Sequence, residues 1–81
     1  MQNSFKFKKG DLVYLPSNII IVQMSSIALG GEHHISKTIT TEAPTNVILL
    51  DNHNFTRTPF KCEILFNSQR WFARPNDLYS V

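Results

Sequence analysis

The chain has 81 residues, of which 42% are hydrophobic and 17% are charged, and its formal net charge is +2. This balance excludes an intrinsically disordered chain, and the length allows a single domain with a thin core. The longest apolar run, Ile19–Val22, is far too short to span a bilayer, so we expect no membrane contact.

The cysteine content predicts a reducing compartment. Cys62 is the only cysteine, so the chain cannot form an internal disulfide, whereas small secreted domains usually depend on several. The first 11 residues contain no apolar segment of the kind found in signal peptides. We therefore expect a cytoplasmic protein.

The first half of the chain reads as short strands divided by turn residues. Phe5 and Phe7 alternate with lysines, which predicts an amphipathic strand that ends at Gly10-Asp11. A second strand follows over the stretch DLVYLP and is stopped by Pro16, which cannot donate to a β-ladder. The β-branched run 18–24 predicts a central strand.

The second half continues the same pattern. A turn is expected at Gly30-Gly31, strands at 35–41 and 47–50, and a long polar turn at 51–59. Segment 60–66 alternates, with Phe60, Cys62, Ile64 and Phe66 on one face, and 70–73 is the last full strand. Pro75 followed by Asn-Asp-Leu suits one turn of 3₁₀ helix. Five or six short strands at this spacing predict an all-β fold, either a small closed or nearly closed barrel or a sandwich.

Both ends of the chain carry a family pattern. The stretch FKKGDLVYLPS resembles the opening strand of SH3-like barrels, and RWFARPNDLYSV resembles their ending, with an aromatic strand, a one-turn helix and a short last strand. The resemblance implies a single five- to six-stranded SH3-like barrel over residues 1–81, with one 3₁₀ turn near its end. Stand-alone barrels of this size resemble accessory proteins of phages, plasmids and bacterial operons.

Strand 70–74 raises the question of which aromatic residue is buried. An unpaired arginine is costly to bury, so Arg70 and Arg74 should face outward. Alternation then places Phe72 on the outside with them and points Trp71 inward. An exposed Phe72 between two arginines could stack on the bases of single-stranded nucleic acid. Alternatively, a bulge returns Phe72 to the core, or Phe72 packs under loop 51–59 or against another subunit.

Other candidate binding residues lie near the start of the chain and in the polar loop. The lysines that alternate with Phe5 and Phe7 could contact phosphates, or they could simply guard an edge strand against aggregation. Loop 51–59 could bind a partner or could be a solvated turn. The full candidate set is Arg70, Phe72, Arg74, Lys6, Lys8, Lys9, Phe55 and Arg57.

The sequence contains no catalytic or metal-binding pattern. His33, His34, His53 and Cys62 lack the spacing of a metal site, and Cys62 alternates with apolar residues, which predicts a buried structural thiol. We therefore expect a non-enzymatic binding module without a cofactor, a metal or an evident small-molecule substrate. Docking on another protein or self-association is the first hypothesis, and nucleic-acid binding through the basic and aromatic residues is the alternative.

Overall fold

A computed structural model describes residues 5–26 and 33–81. They form seven strands and one 3₁₀ turn at Pro75–Asp77. The strands are β1 (Leu12–Leu15), β2 (Ile20–Ser26), β3 (His33–Thr40), β4 (Thr45–Asn52), β5 (Cys62–Phe66), β6 (Gln69–Ala73) and β7 (Tyr79–Ser80). The turn expected at Gly30-Gly31 lies outside the described residues. The described part of the chain contains no helix long and apolar enough to cross a membrane.

The strands form one open antiparallel sheet in the order β3-β2-β6-β5-β4-β1-β7. The all-β class and the 3₁₀ turn are confirmed, whereas the predicted five- to six-stranded barrel is wrong, because the sheet has seven strands and is not closed. Closure would require β3 to pair with β7. Because β7 has two residues and β3 has eight, β7 could not satisfy more than a small part of that edge.

The segment before β1 is a turn rather than the predicted amphipathic strand. The Lys8 amide donates to the Asp11 carboxylate over 2.8 Å, and the Asp11 amide donates to the Lys8 carbonyl over 2.9 Å. Gly10 completes this turn with a φ of +94°, a conformation that glycine adopts without steric cost. Phe7 still packs against the core from this segment.

One face of the sheet carries the core. Alternate residues of the long strands point to this inner face, together with Leu78, which follows the 3₁₀ turn. No α-helix covers this layer in the described part of the chain. The buried residues of this core cluster are Val13, Leu15, Ile21, Val47, Leu49, Cys62, Ile64, Trp71, Ala73 and Leu78.

Thr41 ties the end of β3 to the connection between β1 and β2. Its hydroxyl donates to the Pro16 carbonyl over 2.7 Å and accepts from the Ile19 amide over 2.9 Å. Two backbone hydrogen bonds of 2.8 Å, to Asn18 and Ile19, flank the side chain. Thr41 is only 2% exposed, so this is a buried polar residue with both capacities of its hydroxyl satisfied.

Candidate functional site

Strand β6 alternates as the sequence predicts. Trp71 is 4% exposed and Ala73 is fully buried on the inner face, while Phe72 lies on the outer face with Arg70. Phe72 is half-buried rather than open. Phe72 packs under the polar loop, which is one of the arrangements that the sequence allows, because His53 and Phe55 from that loop cover its ring.

The cover over Phe72 is an aromatic cluster. The rings of His53 and Phe55 stack with centroids 4.8 Å apart and planes 7° from parallel. Phe72 is tilted against both, at 5.5 Å from His53 and 5.9 Å from Phe55. Val22 lies directly opposite Phe72 on β2 and is buried outside the main core cluster. A second, smaller apolar layer therefore lies on the outer face of the sheet.

Glu63 links this cluster to Arg70. Its Oε1 lies 2.8 Å from His53 Nε2, and its Oε2 lies 3.6 Å from Arg70 Nε. The Glu63 side chain is 13% exposed, whereas the Arg70 side chain is 78% exposed. The carboxylate thus forms the inner part of the site, and the guanidinium forms its outer rim.

These groups border a cleft of about 630 Å³. Besides the aromatic cluster, Glu63 and Arg70, the cleft is lined by Gln23, Met24, Ser36 and Gln69. Gln23 Nε2 donates to Gln69 Oε1 over 3.2 Å and to the Arg70 carbonyl over 3.1 Å. The volume is within the range of small-ligand sites, about 300–1,000 Å³. We call this feature the aromatic cleft.

The remaining predicted basic residues do not lie in the aromatic cleft. Arg74 Nε pairs with Asp77 Oδ2 at 2.8 Å, and its guanidinium lies 6.0 Å from the centre of the Phe60 ring. The Lys6 ammonium lies 5.5 Å from the Phe7 ring and 5.2 Å from the Tyr79 ring.

The other predicted residues divide in the same way. Lys8 and Lys9 are exposed in the turn before β1, and Arg57 is exposed on the loop after β4. Of the whole predicted set, the aromatic cleft therefore brings together Arg70, Phe72 and Phe55. Glu63 and His53 belong to the same cleft but were not predicted as site residues.

A row of exposed apolar side chains crosses the outer face of three neighbouring strands. Leu12 pairs with Ile48, and Ile48 pairs with Leu65, so the three side chains stand side by side. They are 49%, 38% and 41% exposed, respectively. We call them the outer apolar row. The sequence did carry a signal for Leu65, because it alternates out of phase with the core residues Cys62 and Ile64.

The outer apolar row borders a second cleft, also of about 630 Å³. This cleft is formed by residues 39–47, which connect β3 to β4, and by Leu65, Phe66 and Asn67 at the turn between β5 and β6. Leu65 belongs to both features. The outer apolar row and this cleft therefore meet at Leu65.

Cys62 is the buried structural thiol that the sequence predicts. Its sulfur donates to Asn52 Oδ1 over 3.5 Å. Burial raises the pKa of the thiol to about 11, although the charge of Lys6 acts weakly in the opposite direction. A thiol with this pKa is protonated at neutral pH and is a poor nucleophile. Within residues 5–26 and 33–81, no group of three or more His, Cys, Asp or Glu side chains could hold a metal ion.

The fold and these surfaces define a small all-β domain that presents an apolar row and an aromatic cleft on the outer face of one sheet. Comparison with protein-family models, with curated proteins and with solved structures gave no match. The function must therefore be argued from the residues of this chain.

Proposed function

We propose that this protein is a non-enzymatic interaction module that docks on another protein through the outer apolar row. The observation that carries the proposal is the in-register alignment of Leu12, Ile48 and Leu65, each more than a third exposed, on three neighbouring strands. Isolated exposed apolar residues are common, but contiguous ones on a small domain are typical of protein contact sites.

The charge distribution also favours a protein partner over nucleic acid. The two arginines that flank Phe72 each face a carboxylate, Arg70 that of Glu63 and Arg74 that of Asp77. Asp77 is hydrogen-bonded to Arg74, whereas Glu63 lies 3.6 Å from Arg70 and leaves the guanidinium donors open, so only one of these two arginines stays available for a phosphate. Nucleic-acid binding draws most of its affinity from uncompensated cations.

The test compares the wild-type protein with Leu65→Lys and with a matched control, Thr38→Lys. Both changes add one charge at an exposed strand position, but Thr38 lies on β3, away from the row. Each protein is used for affinity capture from a native-host lysate with quantitative mass spectrometry, and for sedimentation velocity to detect self-association. We expect Leu65→Lys to lose a protein, or a second copy of the chain, that Thr38→Lys retains.

One outcome would refute docking at the outer apolar row. If Leu65→Lys and Thr38→Lys retain the same partners and the same sedimentation coefficient as the wild type, the row is not a docking surface. Circular dichroism of each variant establishes that the comparison is made between folded proteins. A salt titration adds a second criterion, because docking through an apolar row should change little with ionic strength.

One observation favours nucleic-acid binding as a second candidate function. Phe55, Phe72 and Arg70, three residues of the predicted set, line the same cleft. A panel of single- and double-stranded DNA and RNA at about 50 mM salt tests this candidate, since phosphate contacts are strongest at low salt. The absence of binding to every member of the panel would refute it.

A further inference from the structure

We propose that the aromatic cleft binds one nucleotide unit, with the base against the aromatic cluster and the phosphate on Arg70. The inference is independent of protein docking at the outer apolar row. It deepens the second candidate function by giving it a defined site and a ligand of defined size. Three features of the cleft support it: an aromatic wall, a cation at the rim and a pair of side-chain amides.

The aromatic wall provides the surface for a base. His53, Phe55 and Phe72 lie within 5.9 Å of one another, and the cleft of about 630 Å³ opens beside them. Glu63 holds the His53 ring by a 2.8 Å contact, so the wall is fixed before a ligand arrives. Any of the nucleobases can stack on such a wall, because each presents a planar aromatic face.

Arg70 provides the charge for a phosphate. Its closest approach to Glu63 is 3.6 Å, which is longer than a hydrogen bond, and its side chain is 78% exposed. The guanidinium therefore keeps N–H donors for a ligand, in a geometry that matches two phosphate oxygens. Glu63 lies beside this cation but does not occupy its donors, because the pair is not hydrogen-bonded.

The amide pair provides groups for the edge of the base. Gln23 uses its amino group to bond Gln69 Oε1 and the Arg70 carbonyl. Within residues 5–26 and 33–81, Gln23 Oε1 accepts no hydrogen bond and Gln69 Nε2 donates none, and both side chains line the cleft. An acceptor next to a donor is complementary to the edge of a nucleobase. A planar anion without such an edge would leave these groups unused.

The experiment is a ¹⁵N-HSQC titration at about 50 mM salt with three probes and one oligomer. The probes are adenosine 5′-monophosphate, adenosine and ribose 5-phosphate, and the oligomer is a single-stranded ten-residue thymidylate. We expect the monophosphate to shift the backbone amides of Gln23, Gln69 and Phe72. We expect adenosine and ribose 5-phosphate to bind at least fivefold more weakly, because each lacks one of the two contacts.

Variants separate the cleft from general charge attraction. Arg70→Gln and Arg74→Gln remove the same charge, but only Arg70 lines the cleft. Phe72→Leu keeps an apolar side chain and removes the stacking face. We expect Arg70→Gln and Phe72→Leu to weaken binding of the monophosphate about tenfold, and Arg74→Gln to leave it within twofold.

The outcomes are distinguishable. Shifts of amides at the cleft, together with the expected effects of the variants, support the inference. If the oligomer then binds tenfold more tightly than the monophosphate, the ligand is a nucleotide unit of a single strand; if the two bind with equal affinity, the ligand is a free nucleotide. Equal losses for Arg70→Gln and Arg74→Gln, or equal affinities for ribose 5-phosphate and the monophosphate, overturn it. If the oligomer binds elsewhere, the second candidate function stands and the cleft site fails; if no probe binds, both fail.

Discussion

The buried hydroxyl of Thr41 gives the sharpest stability prediction. Thr41→Val replaces the hydroxyl by a methyl group of similar size, so the packing volume is nearly conserved. It removes the acceptor of the Ile19 amide and the donor to the Pro16 carbonyl. A lost hydrogen bond costs about 0.5–1.5 kcal/mol, and a buried group left without a partner costs about 1–3 kcal/mol. We expect a total loss of about 2–4 kcal/mol from the free energy of unfolding.

Thr41→Ser is the matched control. Serine keeps the hydroxyl and both hydrogen bonds and loses only one methyl group, which costs about 1 kcal/mol at a buried position. The hydroxyl should thus contribute more than the methyl group. This order is the reverse of the one expected from hydrophobic burial alone, and it makes the comparison independent of the absolute stability.

Urea unfolding followed by the emission of Trp71 measures both variants. Trp71 is the only tryptophan and is buried, so its emission reports the loss of the core. With a slope of about 1–1.5 kcal/mol per molar urea, Thr41→Val should lower the midpoint by about 2 M and Thr41→Ser by less than about 1 M. A midpoint for Thr41→Val at or above that of Thr41→Ser would refute the reasoning.

Three further predictions concern single residues. Because the pKa of the Cys62 thiol rises from 9.0 to about 11 on folding, its stabilising contribution is complete below pH 9 and is lost towards pH 11. The free energy of unfolding of the wild type relative to Cys62→Ala, measured by chemical denaturation, should therefore fall between pH 9 and pH 11. A difference that stays the same over this range would contradict the prediction. Gly10→Ala should lower the free energy of unfolding by about 1–2 kcal/mol, because the φ of +94° is strained for a residue with a Cβ. The added Cβ meets no neighbour, so this backbone strain is the whole cost, and Gly10→Asn should cost less because asparagine tolerates positive φ better than alanine. Equal thermal midpoints for the two variants would contradict the prediction. Trp71→Phe should lower the free energy of unfolding by less than about 2 kcal/mol, because the indole Nε1 has no hydrogen-bond partner to lose among the described residues. Unfolding followed by circular dichroism measures this change, and a loss of about 3–5 kcal/mol, as for truncation to alanine, would contradict the prediction.

Alternation was the part of the sequence that predicted structure well. In 60–66 and 70–73, every second residue is apolar, so the buried positions Cys62, Ile64 and Trp71 follow from a period of two, although Leu65 and Phe72 are apolar residues in the opposite phase. The 3₁₀ turn was predictable for a different reason. Proline has the φ that such a turn needs, and the turn that Pro75 begins spans only three residues.

Alternation failed where a bulge or a polar strand end intervenes. Ser36 is an extra residue on β3, since Gln23 pairs with Lys37 and Met24 pairs with Ile35. The predicted strand 35–41 therefore does not keep one face throughout, and Ile35 is exposed. Asp51 was assigned to a turn, but β4 continues through it because β5 offers a partner strand, and a distant partner is not visible in local sequence.

The two candidate surfaces could be predicted only in part, because they depend on register. Phe55, Phe72 and Arg70 were chosen individually for their chemistry, but nothing in local spacing brings a loop after β4 over a strand almost 20 residues later. The Glu63–His53 contact and the outer apolar row depend on how β4 pairs with β5. Pairing across a long loop is set by the fit of the whole core, so a single strand does not reveal it.

The register of β5 against β6 fixes the core and both surfaces together. Ile64 faces Trp71 on the inner side, while Leu65 faces Arg70 and Glu63 faces Phe72 on the outer side. The outer apolar row therefore ends at Arg70, which is also the rim of the aromatic cleft. Residues two apart on a strand are separated by about 7 Å, so a partner seated on Leu65 would lie next to a nucleotide in the cleft. The two surfaces meet at the Leu65–Arg70 pair, so any change in nucleotide affinity that a docked partner caused would equal the change in partner affinity that the nucleotide caused.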